Sequence, residues 1–169
     1  AMLIRFCASV LIALAGLAFG VYRCENLKSE LSVSQQTGEF FRSSAIMIRY
    51  RGLDVYELMR NARMSGKYPS LTFFKKLPET YEAGEDFRKA WSQAIAGEAA
   101  IPQEERRLLS EFGSIIGASD AEGQQKSLSA FEKEAEQLAV MRRETYLKKG
   151  KLYRSVGLLF GLMGAILVI

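Results

Sequence analysis

The sequence contains no histidine, only two cysteines and only three prolines. Lacking histidine, the chain has neither the commonest general base nor the commonest metal ligand. Cys7 and Cys24 flank a single apolar run and do not pair across it, so no disulfide framework holds the fold. A Walker-type glycine loop, a paired CxxC and a GxSxG are all missing. No stretch alternates cleanly in β-branched residues, and helix formers dominate, which excludes a β-rich domain. No cofactor, metal or catalytic residue is therefore expected. Carboxylates are plentiful, but Glu104–Glu105 and Glu132, Glu134 and Glu136 read as solvated helix faces. Tyr68, Phe73, Phe74, Tyr81, Phe87 and Trp91 read as core packing. Nucleic acid is not expected, because a stacking platform would interleave such rings with basic residues on strands.

The chain does have two apolar ends. Between Arg5 and Arg23 lie seventeen uncharged residues, about 26 Å as a helix against a hydrocarbon core of ~30 Å. The last fifteen residues, 155–169, are also uncharged and reach about 22 Å. That run is short, but Arg154 can snorkel and Tyr153 suits an interface. The expectation is a transmembrane helix over 2–22, a helical domain over 23–152 and a second transmembrane helix over 153–169. For the first segment a cleaved signal peptide is the alternative, with Ala15, Gly16, Ala18 and Gly20 as candidate cleavage-site residues. For the last it is a buried core helix.

Charge orients the arrangement. Residues 142–154 hold six basic side chains, Arg142, Arg143, Lys148, Lys149, Lys151 and Arg154, against the single acid Glu144. Residues 23–141 hold sixteen basic and eighteen acidic ones. The overall charge of +4 is thus largely a juxtamembrane collar, suited to anionic lipid headgroups. Such collars accumulate on the cytoplasmic side, so the domain is expected to be cytoplasmic, although lone Arg5 argues the other way for the first span.

Punctuation divides the middle into helices. The first helix is expected to run to about Tyr50, with Gly38 as a weak point. Asp54 caps a helix closed by Gly66, Ser70 caps one ending near Gly84 in which Pro78 predicts a kink or an early end near Leu77, and Asp86 caps one closed by Gly97. Pro102 opens another that ends at Gly117, and Ser119–Asp120 opens the longest. The expected fold is all-α, an antiparallel bundle of about six helices whose long first and last members continue into the membrane. Each span carries a glycine pair, Gly16-x-x-x-Gly20 and Gly157-x-x-x-Gly161, and such spacing lets helix backbones approach closely in lipid.

The runs LLSEFGSIIGASDAEGQQKSLSAFEKEAEQL (108–138) and KKGKLYRSVGLLFGLMGAILVI (148–169) resemble the stage III sporulation protein AB family. The resemblance implies a part in a channel that joins mother cell and forespore, located in the mother-cell membrane around the forespore. It also implies likeness to the cytoplasmic helical domains of inner-membrane platform proteins in type II secretion and type IV pilus systems. The implied partners are a cytoplasmic secretion-type ATPase (stage III sporulation protein AA), other membrane subunits of the channel, and further copies of the chain. The resemblance implies no catalytic residue. Arg60, Arg63, Lys75, Lys76, Arg88 and Arg106 are the expected ATPase-facing surface. The alternatives are a passive membrane scaffold, or a membrane enzyme working through converging carboxylates.

Overall fold

The computed structural model describes residues 2–51, 54–80, 86–116 and 121–168. These residues form five α-helices and no strand: α1 (Met2–Arg51), α2 (Val55–Met64), α3 (Phe87–Ala96), α4 (Gln103–Ile115) and α5 (Ala121–Val168). A five-residue 3-10 helix, Thr72–Lys76, lies between α2 and α3. The chain is all-α, with a long, apolar first helix.

The helix ends follow local chemistry. Asp54 accepts a hydrogen bond from the Glu57 amide at 2.9 Å, and Asp86 accepts one from the Arg88 amide at 3.0 Å. Each satisfies an amide that the first turn leaves without a helical partner. Gly66 follows α2 with φ +63, the left-handed turn that glycine adopts without a steric penalty. Of the helix expected over 70–84, the described part, residues 70–80, departs from that expectation. The chain there makes only the 3-10 helix, and Leu77 is extended at φ −80 and ψ 147. The next residue is Pro78, whose ring disfavours helical backbone at the residue before it. Residues 81–85, and the expected stop at Gly117 and start at Ser119–Asp120, lie outside the described residues.

The chain divides into two compact units, Ala1–Leu31 with Met141–Ile169, and Ser32–Val140. The second is built on aromatic side chains. Phe40, Phe41, Phe73, Trp91 and Phe112 are almost wholly buried. Phe40 is central, with ring centroids of Phe74 and Phe112 at 5.0 and 5.2 Å and of Tyr68 at 5.8 Å. The Trp91 indole N–H donates to the Leu109 carbonyl oxygen at 2.7 Å. It fits only because residue 113 is glycine: a methyl group there would come within 2.0 Å of Trp91 Cδ1. Each large ring contributes roughly 1.5–3 kcal/mol by leaving water.

Polar groups on the buried face of α1 are satisfied locally. Thr37 Oγ1 donates to the Val33 carbonyl and Ser44 Oγ to the Phe40 carbonyl, both at 2.8 Å. Gly38, expected as a weak point, lies within an unbroken α1, and a methyl group there would meet Ala135 Cβ of α5 at an ordinary 3.8 Å. On the surface, Arg42 pairs with Glu132 at 2.8 Å, and Arg107 pairs with Glu111 at 2.9 Å and with Glu134. The hydrogen bonds that Arg42 donates to Glu132 and Arg107 donates to Glu134 raise the pKa of each guanidinium. Both guanidiniums stand in solvent, so these pairs add little stability.

Candidate functional site

In the unit formed by residues 1–31 and 141–169, the four sequence-predicted glycines come together. A methyl group on Gly16 would lie 2.7 Å from both the Gly157 carbonyl oxygen and Gly161 Cα. On Gly20 it would lie 2.6 Å from the Tyr153 carbonyl oxygen, and on Gly161 2.8 Å from that of Ala13. None of these positions admits a side chain. Further along, Cys24 Sγ faces Gly150, and Glu30 receives Arg142 Nη1 at 2.9 Å. Partner numbers fall along α5 as they rise along α1. Gly150 lies within an unbroken α5.

The outer faces of this unit are apolar. Phe6, Leu11, Phe19, Leu159, Phe160 and Ile166 are all exposed. Helix α1 holds an 18-residue window of mean hydropathy 2.1, of which only 11% is buried. A core helix of a water-soluble domain would be mostly buried, whereas this stretch keeps its large side chains outward. By length and composition, α1 is able to cross a membrane, and it is the one helix that meets this criterion among the described residues.

The six collar residues divide. Arg142 is half-buried against Glu30, and Lys148 lies 3.5 Å from Glu144 one turn away. Arg143, Lys149, Lys151 and Arg154 are exposed and have no ion pair among the described residues. Arg23 lies over the Tyr153 ring at 5.3 Å, a cation–π contact.

The six basic residues expected on a partner surface also divide. Arg63 is engaged internally: it donates to the carbonyl oxygens of Phe74, Lys75 and Leu77 at 3.3, 2.7 and 3.1 Å and pairs with Glu79. It thereby holds the end of the 3-10 helix. Arg106 holds another turn, donating to the Glu98 and Ile101 carbonyls at 2.8 and 3.1 Å. Lys76 meets the Glu98 carboxylate at 3.5 Å. Arg60 is exposed with Glu57 at 3.9 Å, while Lys75 and Arg88 are exposed without an ion pair among the described residues. Arg60, Arg63 and Lys75 border two neighbouring hollows, and Lys76 and Arg106 meet at Glu98. Arg88 joins neither group.

One carboxylate differs from its sequence reading. Glu105 is not on a solvated face but is 1% exposed, and it accepts a hydrogen bond from Ser34 Oγ, itself fully buried. The signal was available: Glu105 is in helical register with Leu108, Leu109 and Phe112, the buried side of α4. Among the described residues no three histidine, cysteine, aspartate or glutamate side chains converge as metal ligands would. The arrangement offers helix contact, charge and grooves.

The family model for Stage III sporulation protein AB matches residues 5–169, and the chain belongs to that family. The match thus extends well beyond the two motif runs, 108–138 and 148–169. Membership implies a role in stage III of sporulation. A search of curated proteins and a search of solved structures each gave no match.

Proposed function

We propose that this chain is a non-enzymatic membrane platform of a stage III sporulation channel, holding a cytoplasmic secretion-type ATPase at the mother-cell membrane around the forespore. The observation that carries the reading is the backbone-to-backbone approach of α1 and α5 at Gly16, Gly20, Gly157 and Gly161. Lipid offers no hydrophobic drive for helices to associate, so close approach at small residues is how paired helices hold together there. The exposed phenylalanines and leucines around that seam are the surface that acyl chains would cover.

On this reading both ends span the membrane as an antiparallel pair, and the bundle between them is antiparallel as well. The free cations Arg143, Lys149, Lys151 and Arg154 meet anionic headgroups on the cytoplasmic side, which puts the central domain in the cytoplasm. One domain with two spans makes a small platform, so several copies assemble, together with other membrane subunits of the channel. The glycine seam is occupied within each copy, and copies meet through other surfaces.

Co-purification tests the proposal. The full-length, detergent-solubilised protein is expressed with its cognate ATPase, and retention is measured at physiological salt. Retention of the ATPase supports the platform. Retention of the neighbouring membrane proteins without the ATPase would reduce the chain to a passive scaffold.

A further inference from the structure

The surface between α2 and residues 66–79 has a shape and charge that the platform reading leaves unassigned. Two hollows lie side by side there and share Arg63 and Phe74. The larger, about 220 Å³, has Leu71 and Phe74 in its wall and Lys75 at its edge. The smaller, about 90 Å³, is bordered by Met59, Met64, Leu77 and Arg60. Met64 is 78% exposed at the border of the smaller hollow. Both hollows are smaller than the ~300–1,000 Å³ of small-molecule sites, and both far exceed what a bound water needs. They suit individual side chains presented by another protein.

Charge specifies that protein. The charged residues bordering the two hollows are Arg60, Arg63, Lys75 and Glu79. Arg63 and Glu79 pair with each other, and Arg63 is further tied to three carbonyls. Arg60, exposed and only loosely paired with Glu57 at 3.9 Å, and Lys75, exposed without an ion pair among the described residues, stand one beside each hollow. We infer that this surface docks an acidic segment of a partner protein, with apolar side chains seated in the two hollows and carboxylates against Arg60 and Lys75. The inference deepens the platform reading and rests on it for the natural source of that segment, the ATPase. Arg63 acts as a strut that shapes the groove and is not itself a contact for the partner.

The test uses the full-length protein in nanodiscs of neutral lipid, with its methionine methyl groups labelled for NMR. The probe is a synthetic helical peptide of glutamate and leucine, with a glutamine–leucine peptide as its neutral counterpart. The expected result is a saturable shift of the Met59 and Met64 signals with Met163 unmoved. Binding should weaken about tenfold for the neutral peptide and for the Arg60→Glu, Lys75→Glu variant, as loss of close charge contacts implies. No saturable shift, or equal binding by the variant, overturns the inference. An equal shift on adding anionic lipid alone also overturns it and makes the groove a lipid surface. Retention of the ATPase separates this inference from the reading beneath it. Retention that the double variant weakens supports both. Unchanged retention by the variant overturns the groove and leaves the platform standing. Peptide binding without ATPase retention keeps the groove, for another acidic partner, and removes the ATPase from the account.

Discussion

The two units achieve close packing with opposite materials. In residues 32–140 the fit is made by large rings: the ring pairs run from Phe40 to Phe131, and Trp91 fills the space left by Gly113. In residues 1–31 and 141–169 the fit is made by having no side chain at all, with glycine backbones against each other. The aromatic unit buries most of its large apolar groups, whereas the glycine unit exposes most of its own. Water rewards the first arrangement, because burial removes apolar surface from it. On the platform reading, lipid is the solvent that suits the second.

Substitutions that break one unit should spare the other. The largest effect is expected from Gly16→Leu with Gly161→Leu. Backbone atoms already within 2.8 Å of a single added methyl group leave no room for leucine. Spin labels at the exposed positions Ala18 and Ser155 should report complete separation of the two helices, with thermal melting of the aromatic unit unchanged. Next is Phe40→Ala, which removes the central ring and should cost about 3–5 kcal/mol in denaturant unfolding of the aromatic unit, leaving the spin-label distance as it was.

Gly113→Ala sharpens the comparison, because it is a glycine inside the aromatic unit. Its methyl group collides with Trp91, so about 1–3 kcal/mol should be lost and the Trp91 fluorescence should shift. The smallest effect is alkaline. Burial raises the Tyr68 pKa above its ordinary value of 10.0, although the hydrogen bond to Ser43 opposes the rise. The fold favours the neutral phenol. The stability it contributes is complete below the unfolded pKa of ~10 and is lost as pH rises through the higher folded value. Phenolate absorbance, taken as wild type minus Tyr68→Phe, should appear at higher pH than in a free tyrosine.

The sequence carried the local chemistry well and the partnerships poorly. Asp54, Asp86 and Gly66 announce their helix ends, because a cap depends on a few adjacent residues. The four-residue glycine spacing announces a packing face, but nothing in the spacing says that Gly16 meets Gly157 and Gly161 of the same chain. Pro78 announces the end at Leu77, because its ring disfavours helical backbone at the residue before it, but nothing in the apolar spacing of residues 70–76 shows that they form only a 3-10 turn. Arg63 and Arg106 look like surface cations, because a sequence does not show the carbonyl oxygens that gather around a guanidinium. Glu105 was hidden by its neighbour: Glu104 is solvated, and one residue further round α4 faces the core.

The most direct test of the central claim, that a cytoplasmic helical domain is held at the membrane by two spans, is labelling at position 92. Ser92 is exposed on α3. With Cys7 and Cys24 replaced by serine, Ser92→Cys is expressed in non-sporulating cells, where the only membrane is the cell membrane, and treated with a membrane-impermeant maleimide in intact protoplasts and again after the membrane is opened. The account predicts labelling only after opening. Labelling in intact protoplasts would contradict it, by placing the domain on the outer side of the membrane.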